Sequence, residues 1–154
     1  MIPKAFFVTG GKAAGRVSEL NTFDMALKNA GIEQCNLVSV SSIIPPECVE
    51  IEPIKLPIGA ITYVVLSKAH GKGRIISTGI TWGKDVESGY GIVAEVSGNM
   101  NYDTLKTKLD ERLQEMANIR GIKLGKVRHR IETLKVPSNC YGCVVVALVY
   151  IFES

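Results

Sequence analysis

"CVVVALVYIF", residues 143–152, is the longest apolar run in the chain. It falls well short of the roughly 20 residues that a membrane-spanning helix needs. Its β-branched content marks a strand, and it lacks the apolar–polar alternation of a strand with one wet face. A strand that is apolar on both sides has to be covered on both sides. That requirement predicts a domain built in layers, with this strand inside.

The remaining elements fit such a domain. "KAFFVTG" (4–10), "CNLVSVSS" (35–42), "YGIVAEVSG" (90–98) and "KVRHRIETLKV" (126–136) read as strands. "ITYVVLSKA" (61–69) and "GRIISTGITW" (73–82) read as a hairpin around "HGKG". Two helices stand between them. In "NTFDMALKNAG" (21–31), Asn21 is placed to cap, Phe23, Ala26, Leu27 and Ala30 form a stripe, and Gly31 is placed to stop the helix. In "NYDTLKTKLDERLQEMANIRG" (101–121), Asn101 caps, Leu105, Leu109, Leu113 and Met116 share one face, and Gly121 terminates. Together these predict an α+β fold, a layered αββα-type sandwich of mainly antiparallel strands with two main helices. Residues 1–154 make one domain, with no repeat or linker.

Composition excludes more than it assigns. The formal charge of +3 does not by itself argue for nucleic acid. The basic stretch "KLGKVRHRIETLK" (123–135) alternates as a strand with a solvated face. No run is long enough for a membrane span, and "MIPKAFFVTGG" lacks the apolar core of a signal peptide, so the expected location is the cytoplasm. A mean hydropathy of +0.18 favours an oligomer that hides apolar surface. Cys35, Cys48, Cys140 and Cys143 read as free thiols in a reducing compartment. The Cys140/Cys143 pair opens a strand and has no second pair at zinc spacing, so it reads as structural. Neither His70 nor His129 lies in a ligand-spaced cluster, and no metal is expected.

Two motifs bear on chemistry. "TGGKAAGRVSE" (9–19) has the outline of a phosphate-binding loop, with Gly10 and Gly15 five apart after a strand. A Walker loop needs Lys and then Ser or Thr after its second glycine, to reach phosphate and Mg²⁺. Arg16 and Val17 stand there instead, so a flexible, substrate-facing loop is expected. In "NLVSVSSIIPPE" (36–47), Ser41 and Ser42 stand side by side at a strand end before two prolines. They can be turn serines bonded to nearby backbone. Alternatively, the Ser42 hydroxyl can attack the carbonyl of Ser41 and convert the peptide into an ester. Elimination of that ester and hydrolysis leave a pyruvoyl group at the new N-terminus.

The segment "LNTFDMALKNAGIEQCNLVSVSSIIPPE" (20–47), with "LPIGA" (56–60) and "GIVAEVSG" (91–98), resembles the pyruvoyl-dependent arginine decarboxylases in kind and order. The resemblance implies self-cleavage between Ser41 and Ser42 into a β chain, 1–41, and an α chain, 42–154. The cofactor would be a covalently attached pyruvoyl group formed from Ser42, with neither metal nor pyridoxal phosphate. It would decarboxylate L-arginine to agmatine and CO2 through a Schiff base with the substrate's α-amine. Glu95 corresponds to the glutamate that protonates the carbanion, Asp24 to the aspartate that binds the guanidinium, and Asn36 to the asparagine that assists cleavage.

Each of these three also has a plainer explanation. Glu95 can be a solvated strand residue. Asp24 can be a first-turn helix acid with Lys28 at i+4. Asn36 lies roughly 20 Å from Ser42 along a straight strand, so it would serve a neighbouring subunit. The family's trimers of αβ units, with active sites between subunits, agree with that. The departures are the Gly-rich stretch and Cys35, and they bear on substrate identity. A decarboxylase of another amino acid, and an uncleaved binding or structural paralogue, are the alternatives.

Overall fold

The structure is a computed structural model and describes residues 1–152. The order is β1 (Ala5–Gly15), α1 (Glu19–Ala30), β2 (Asn36–Ser39), β3 (Ile43–Ile44), β4 (Val49–Glu50), β5 (Ile61–Lys72), β6 (Ile75–Lys84), β7 (Gly91–Gly98), α2 (Tyr102–Arg120), β8 (Arg128–Lys135) and β9 (Tyr141–Ile151). One sheet has the order β2-β5-β9-β1-β4 and the other β3-β7-β6-β8.

The expected α+β sandwich is what forms, and β9 organises it as its sequence requires. Cys143, Val145, Ala147 and Val149 project to one side, where they meet Phe7, Ala26, Leu27 and Ala30 beneath α1. Val146, Leu148 and Tyr150 project to the other and meet Ile80, Trp82 and Val93 of the second sheet. Each buried valine or leucine is worth roughly 1.5–3 kcal/mol relative to exposure. On the far side α2 lays Leu105, Leu109, Leu113 and Ala117 against Ile92, Ala94 and Val96 of β7. The layers therefore run α1, five-stranded sheet, four-stranded sheet, α2. Cys140 and Cys143 are free thiols, and burial pushes Cys143 up to about 11.

Three local expectations are corrected. The helix α1 is capped by Ser18, whose Oγ accepts from the Asn21 N–H at 3.1 Å; Asn21 is already inside it. The Gly-rich stretch is strand rather than loop: β1 pairs with β9 without a break from Ala5↔Ile151 to Gly15↔Tyr141. Its small residues let α1 approach. A Cβ on Gly11 would stand 2.3 Å from the Ala26 carbonyl oxygen and 2.7 Å from the Ala30 nitrogen. Thr9 Oγ1 donates to the Ala30 carbonyl at 2.7 Å across the same contact.

The expected β5–β6 hairpin does not form. β5 pairs with β2 and β9, whereas β6 pairs with β7 and β8 in the other sheet. Gly73, at φ +63°, and Arg74 carry the chain from one sheet to the other. The reason lies in β6, which is buried from Ile76 to Gly83 and must be an interior strand. β5 and β6 face each other across the core instead, tied by the Ser67–Thr78 hydroxyl pair at 2.6 Å.

Candidate active site

The chain also passes between the sheets at Ser41 and Ser42, on its way from β2 to β3. Upstream, β2 runs parallel to β5, and the Val40 N–H extends that ladder by donating to the Val64 carbonyl at 2.8 Å. Downstream, β3 runs antiparallel to β7, and the Ser42 carbonyl accepts from the Val93 N–H at 3.0 Å. The 41–42 peptide is thus held between one hydrogen bond to each sheet. Ser41 is exposed and Ser42 half-buried.

A recess of about 270 Å³ opens beside this peptide. Ser41, Ser42, Glu95 and Arg112 line it with Val40, Val65, Val93, Ala94 and Met116. Glu95 reaches it through strand alternation. Ile92, Ala94 and Val96 of β7 turn toward α2, which leaves Val93 and Glu95 on the face toward the other sheet. β3 covers only the start of β7, so at Glu95 the edge is open. The residue as a whole is exposed, yet the packing around its carboxyl removes enough solvation to raise its pKa above the ordinary value. The positive Arg112 pulls the other way and does not win. Arg112 comes from α2 around the free edge of β7, and its Nη1 donates to the Glu95 backbone carbonyl at 2.7 Å. An adjoining recess of about 320 Å³ adds Ser67, Lys68 and Ser97 to the same two residues.

On its other side Ser41 borders a second recess of about 260 Å³, shared with Val40, Ile43, Tyr63, Tyr150 and Phe152. Here the Tyr150 hydroxyl donates to the Ile43 carbonyl at 2.7 Å.

Asn36 and Asp24 lie elsewhere. Asn36 begins β2, with Nδ2 donating to the Gly59 carbonyl at 2.9 Å, so the whole of β2 separates it from Ser42. Asp24 is exposed in the second turn of α1, on the outer side of the five-stranded sheet. It makes no ion pair among the described residues, with Lys28 or any other cation. One chain therefore assembles Ser41, Ser42 and Glu95 and leaves Asn36 and Asp24 outside.

A family model described as pyruvoyl-dependent arginine decarboxylase matches residues 5–154. The chain belongs to the pyruvoyl-dependent arginine decarboxylase family. Among curated relatives bearing that name, the Methanopyrus kandleri protein is 36% identical over 149 residues, 97% of each chain. The Methanocaldococcus jannaschii protein is 33% identical over 153 residues, covering 95% of this chain and 88% of its own. The Methanothermobacter thermautotrophicus protein is 33% identical over 147 residues, 94% of each.

Within this family member, two residues at the crossover escaped the reading of the sequence. Arg112 sits among the charged residues of α2, and nothing in the helical pattern separates it from them. Tyr150 did carry a signal. It is a phenol inside the aliphatic run of β9, and a buried phenol has to find an acceptor.

Proposed function

We propose that the chain cuts itself between Ser41 and Ser42, into residues 1–41 and 42–154, and that the group formed from Ser42 decarboxylates L-arginine to agmatine and CO2. The observation that supports this most is the crossover. Ser41 and Ser42 occupy the link between two sheets, tied on both sides, with Glu95 in the same recess.

The cleavage balances without any outside redox agent. Ser42 Oγ bonds to the Ser41 carbonyl carbon, and the Ser42 nitrogen leaves with the hydroxyl proton, giving an ester and a free amine. Loss of the Ser42 Cα proton expels Ser41 as a carboxylate and leaves dehydroalanine. Addition of water and release of ammonia leave a pyruvoyl ketone on the larger fragment. That ketone supplies a carbonyl able to condense with an α-amine and to take up electrons as CO2 departs. The surroundings of Ser42 suit such a group, because valine, alanine and methionine side chains wall the recess and one carboxyl and one guanidinium border it.

The chain's own side chains do the rest. Glu95, whose carboxyl desolvation pushes above its ordinary pKa, is placed to return a proton to the substrate carbon. Asp24 pairs with the substrate guanidinium, whose planar fork of donors matches a carboxylate. Asn36 assists the cleavage. Both stand apart from their own chain's Ser42, which supports a trimer of cut units with sites between subunits. Val38, Val40, Ile43 and Ile61, exposed along the edge where the chain crosses, are apolar surface for such contacts.

Intact mass measured under denaturing conditions tests the reading. Two fragments split after residue 41, the larger resistant to Edman degradation, are expected, together with an uncut and inactive Ser42→Ala chain. A wild-type chain that stays whole on prolonged incubation overturns it. Agmatine from arginine, with no amine formed from lysine, tests the substrate.

A further inference from the structure

Tyr150 buries its ring in the core and turns its hydroxyl to a recess at the crossover. The ring packs in the core between the sheets, 6% exposed, while the hydroxyl reaches the recess beside Ser41 and takes the Ile43 carbonyl. That carbonyl has no partner in the ladder. Bonded and non-bonded pairs alternate in an antiparallel ladder. Ser42 opposite Val93 is a bonded pair, so Ile43 opposite Ile92 turns its N–H and C=O away from β7. β3 is an edge strand only two residues long, which by itself holds little.

We propose that Tyr150 is a positioning residue for self-cleavage: by holding the Ile43 carbonyl it fixes the downstream arm of the crossover, so that the Ser42 hydroxyl stays aimed at the Ser41 carbonyl. The inference rests on the cleavage proposed above. Attack needs the hydroxyl and the carbonyl carbon held about 3–3.5 Å apart and aligned. The upstream arm is fixed by Val40 on the five-stranded sheet. Downstream, Ser42 is fixed on the four-stranded sheet by Val93 and Ile44 is paired with Gly91, but Ile43 between them is held to β7 by neither of its own backbone groups. Tyr150 belongs to β9 of the first sheet and Ile43 to the second, so their bond also sets the spacing of the sheets where the chain crosses between them. Burial, with a smaller push from Cys48, holds the phenol well above its ordinary pKa, so it remains a donor. Tyr150 exchanges no bond in the reaction.

The test follows the fraction of cut chain against time after rapid synthesis and purification, by denaturing gel and intact mass. Tyr150→Phe removes only the hydroxyl. It is expected to slow cutting at least about fivefold, the factor that one neutral hydrogen bond of about 1 kcal/mol gives. Tyr63→Phe, which strips a hydroxyl from the same recess without touching Ile43, should cut at the wild-type rate. p-Aminophenylalanine at 150 restores a donor and should restore the rate. Once cut, Y150F should match wild type in kcat per pyruvoyl group. Cutting by Y150F within about twofold of wild type overturns the proposal, as does slow cutting that the amino analogue fails to rescue. If Y150F does not fold, the amino analogue decides alone: wild-type cutting supports the tie, and a folded but slow chain overturns it. A wild-type chain that never cuts defeats the underlying reading instead.

Discussion

Arg112 binds Glu95 at its backbone carbonyl, and its charge reaches the carboxyl without a direct ion pair. The guanidinium donates to the Glu95 carbonyl at 2.7 Å, and no ion pair closes between the two side chains among the described residues. The strand is fixed while the carboxyl remains free for chemistry.

That arrangement makes Arg112→Met informative. If Glu95 works as an acid, activity is lost as pH rises through its pKa. Burial has raised that pKa, and Arg112 opposes the rise. Removing the positive charge raises it further, so the alkaline limb of the kcat profile should move to higher pH. Arg112→Lys, which keeps a charge, should hold the limb near its wild-type position. A limb unmoved in R112M would show that Arg112 serves only the fold.

Glu95→Gln should separate function from stability. Losing a general acid typically costs about 10²–10⁴ in kcat. A raised carboxyl pKa means that the folded state binds more protons than the unfolded one between the ordinary glutamate value and the raised one. Stability therefore falls as pH rises through that window, and the loss persists above it. E95Q escapes the penalty, so it should melt above wild type at neutral pH, with the gap closing in acid below the ordinary glutamate range. Equal melting temperatures throughout would argue against the desolvated carboxyl.

Asn36 offers a test of assembly. Asn36→Ala chains and Ser42→Ala chains should each stay uncut alone. Coexpressed, the S42A chain would lend its Asn36 to a neighbour, and a fraction of the N36A chains should then be cut. No cutting in the mixture would place Asn36 in the service of its own chain. Asp24→Asn should raise KM for arginine by about 10–100-fold, the equivalent of a charged hydrogen bond of roughly 1.5–3 kcal/mol.

The contact of α1 on β1 predicts a sharp difference between two glycines. Gly11→Ala drives a methyl into helix backbone, an overpacking of about 1–3 kcal/mol by the usual range. Gly15→Ala meets side-chain atoms no closer than 3.6 Å and should be near neutral. Thermal melting compares them directly.

The sequence disclosed what local physics controls. β9 shows its two covered faces in a run without alternation, and Asn101, Gly31 and Gly121 cap their helices as their chemistry suggests. The α1 cap was misplaced locally, by three residues, whereas the other two misreadings have long-range causes. Glycines that read as loop are a strand flattened to admit a helix. The "HGKG" that reads as a hairpin turn instead ends β5 and leads into the link between the sheets at Gly73 and Arg74, because β6 takes β7 and β8 as its two neighbours. At the site, the serine pair was legible in its composition, and its place between the sheets was not. That place depends on pairings to Val64 and Val93, both distant in the chain.

The strand order carries a last consequence. Residues 1–41 supply β1 and β2, which share one sheet with β4, β5 and β9 from beyond the proposed cut. β1 lies between β9 and β4, bonded to β9 along eleven residues. Severing the chain after folding thus frees neither piece, like a thread snipped in finished cloth. It does change the molecularity of folding. The intact precursor finds its structure as a single chain, whereas denatured fragments would have to find each other, at a rate set by concentration. Self-cleavage would be a step taken after folding and not readily retraced.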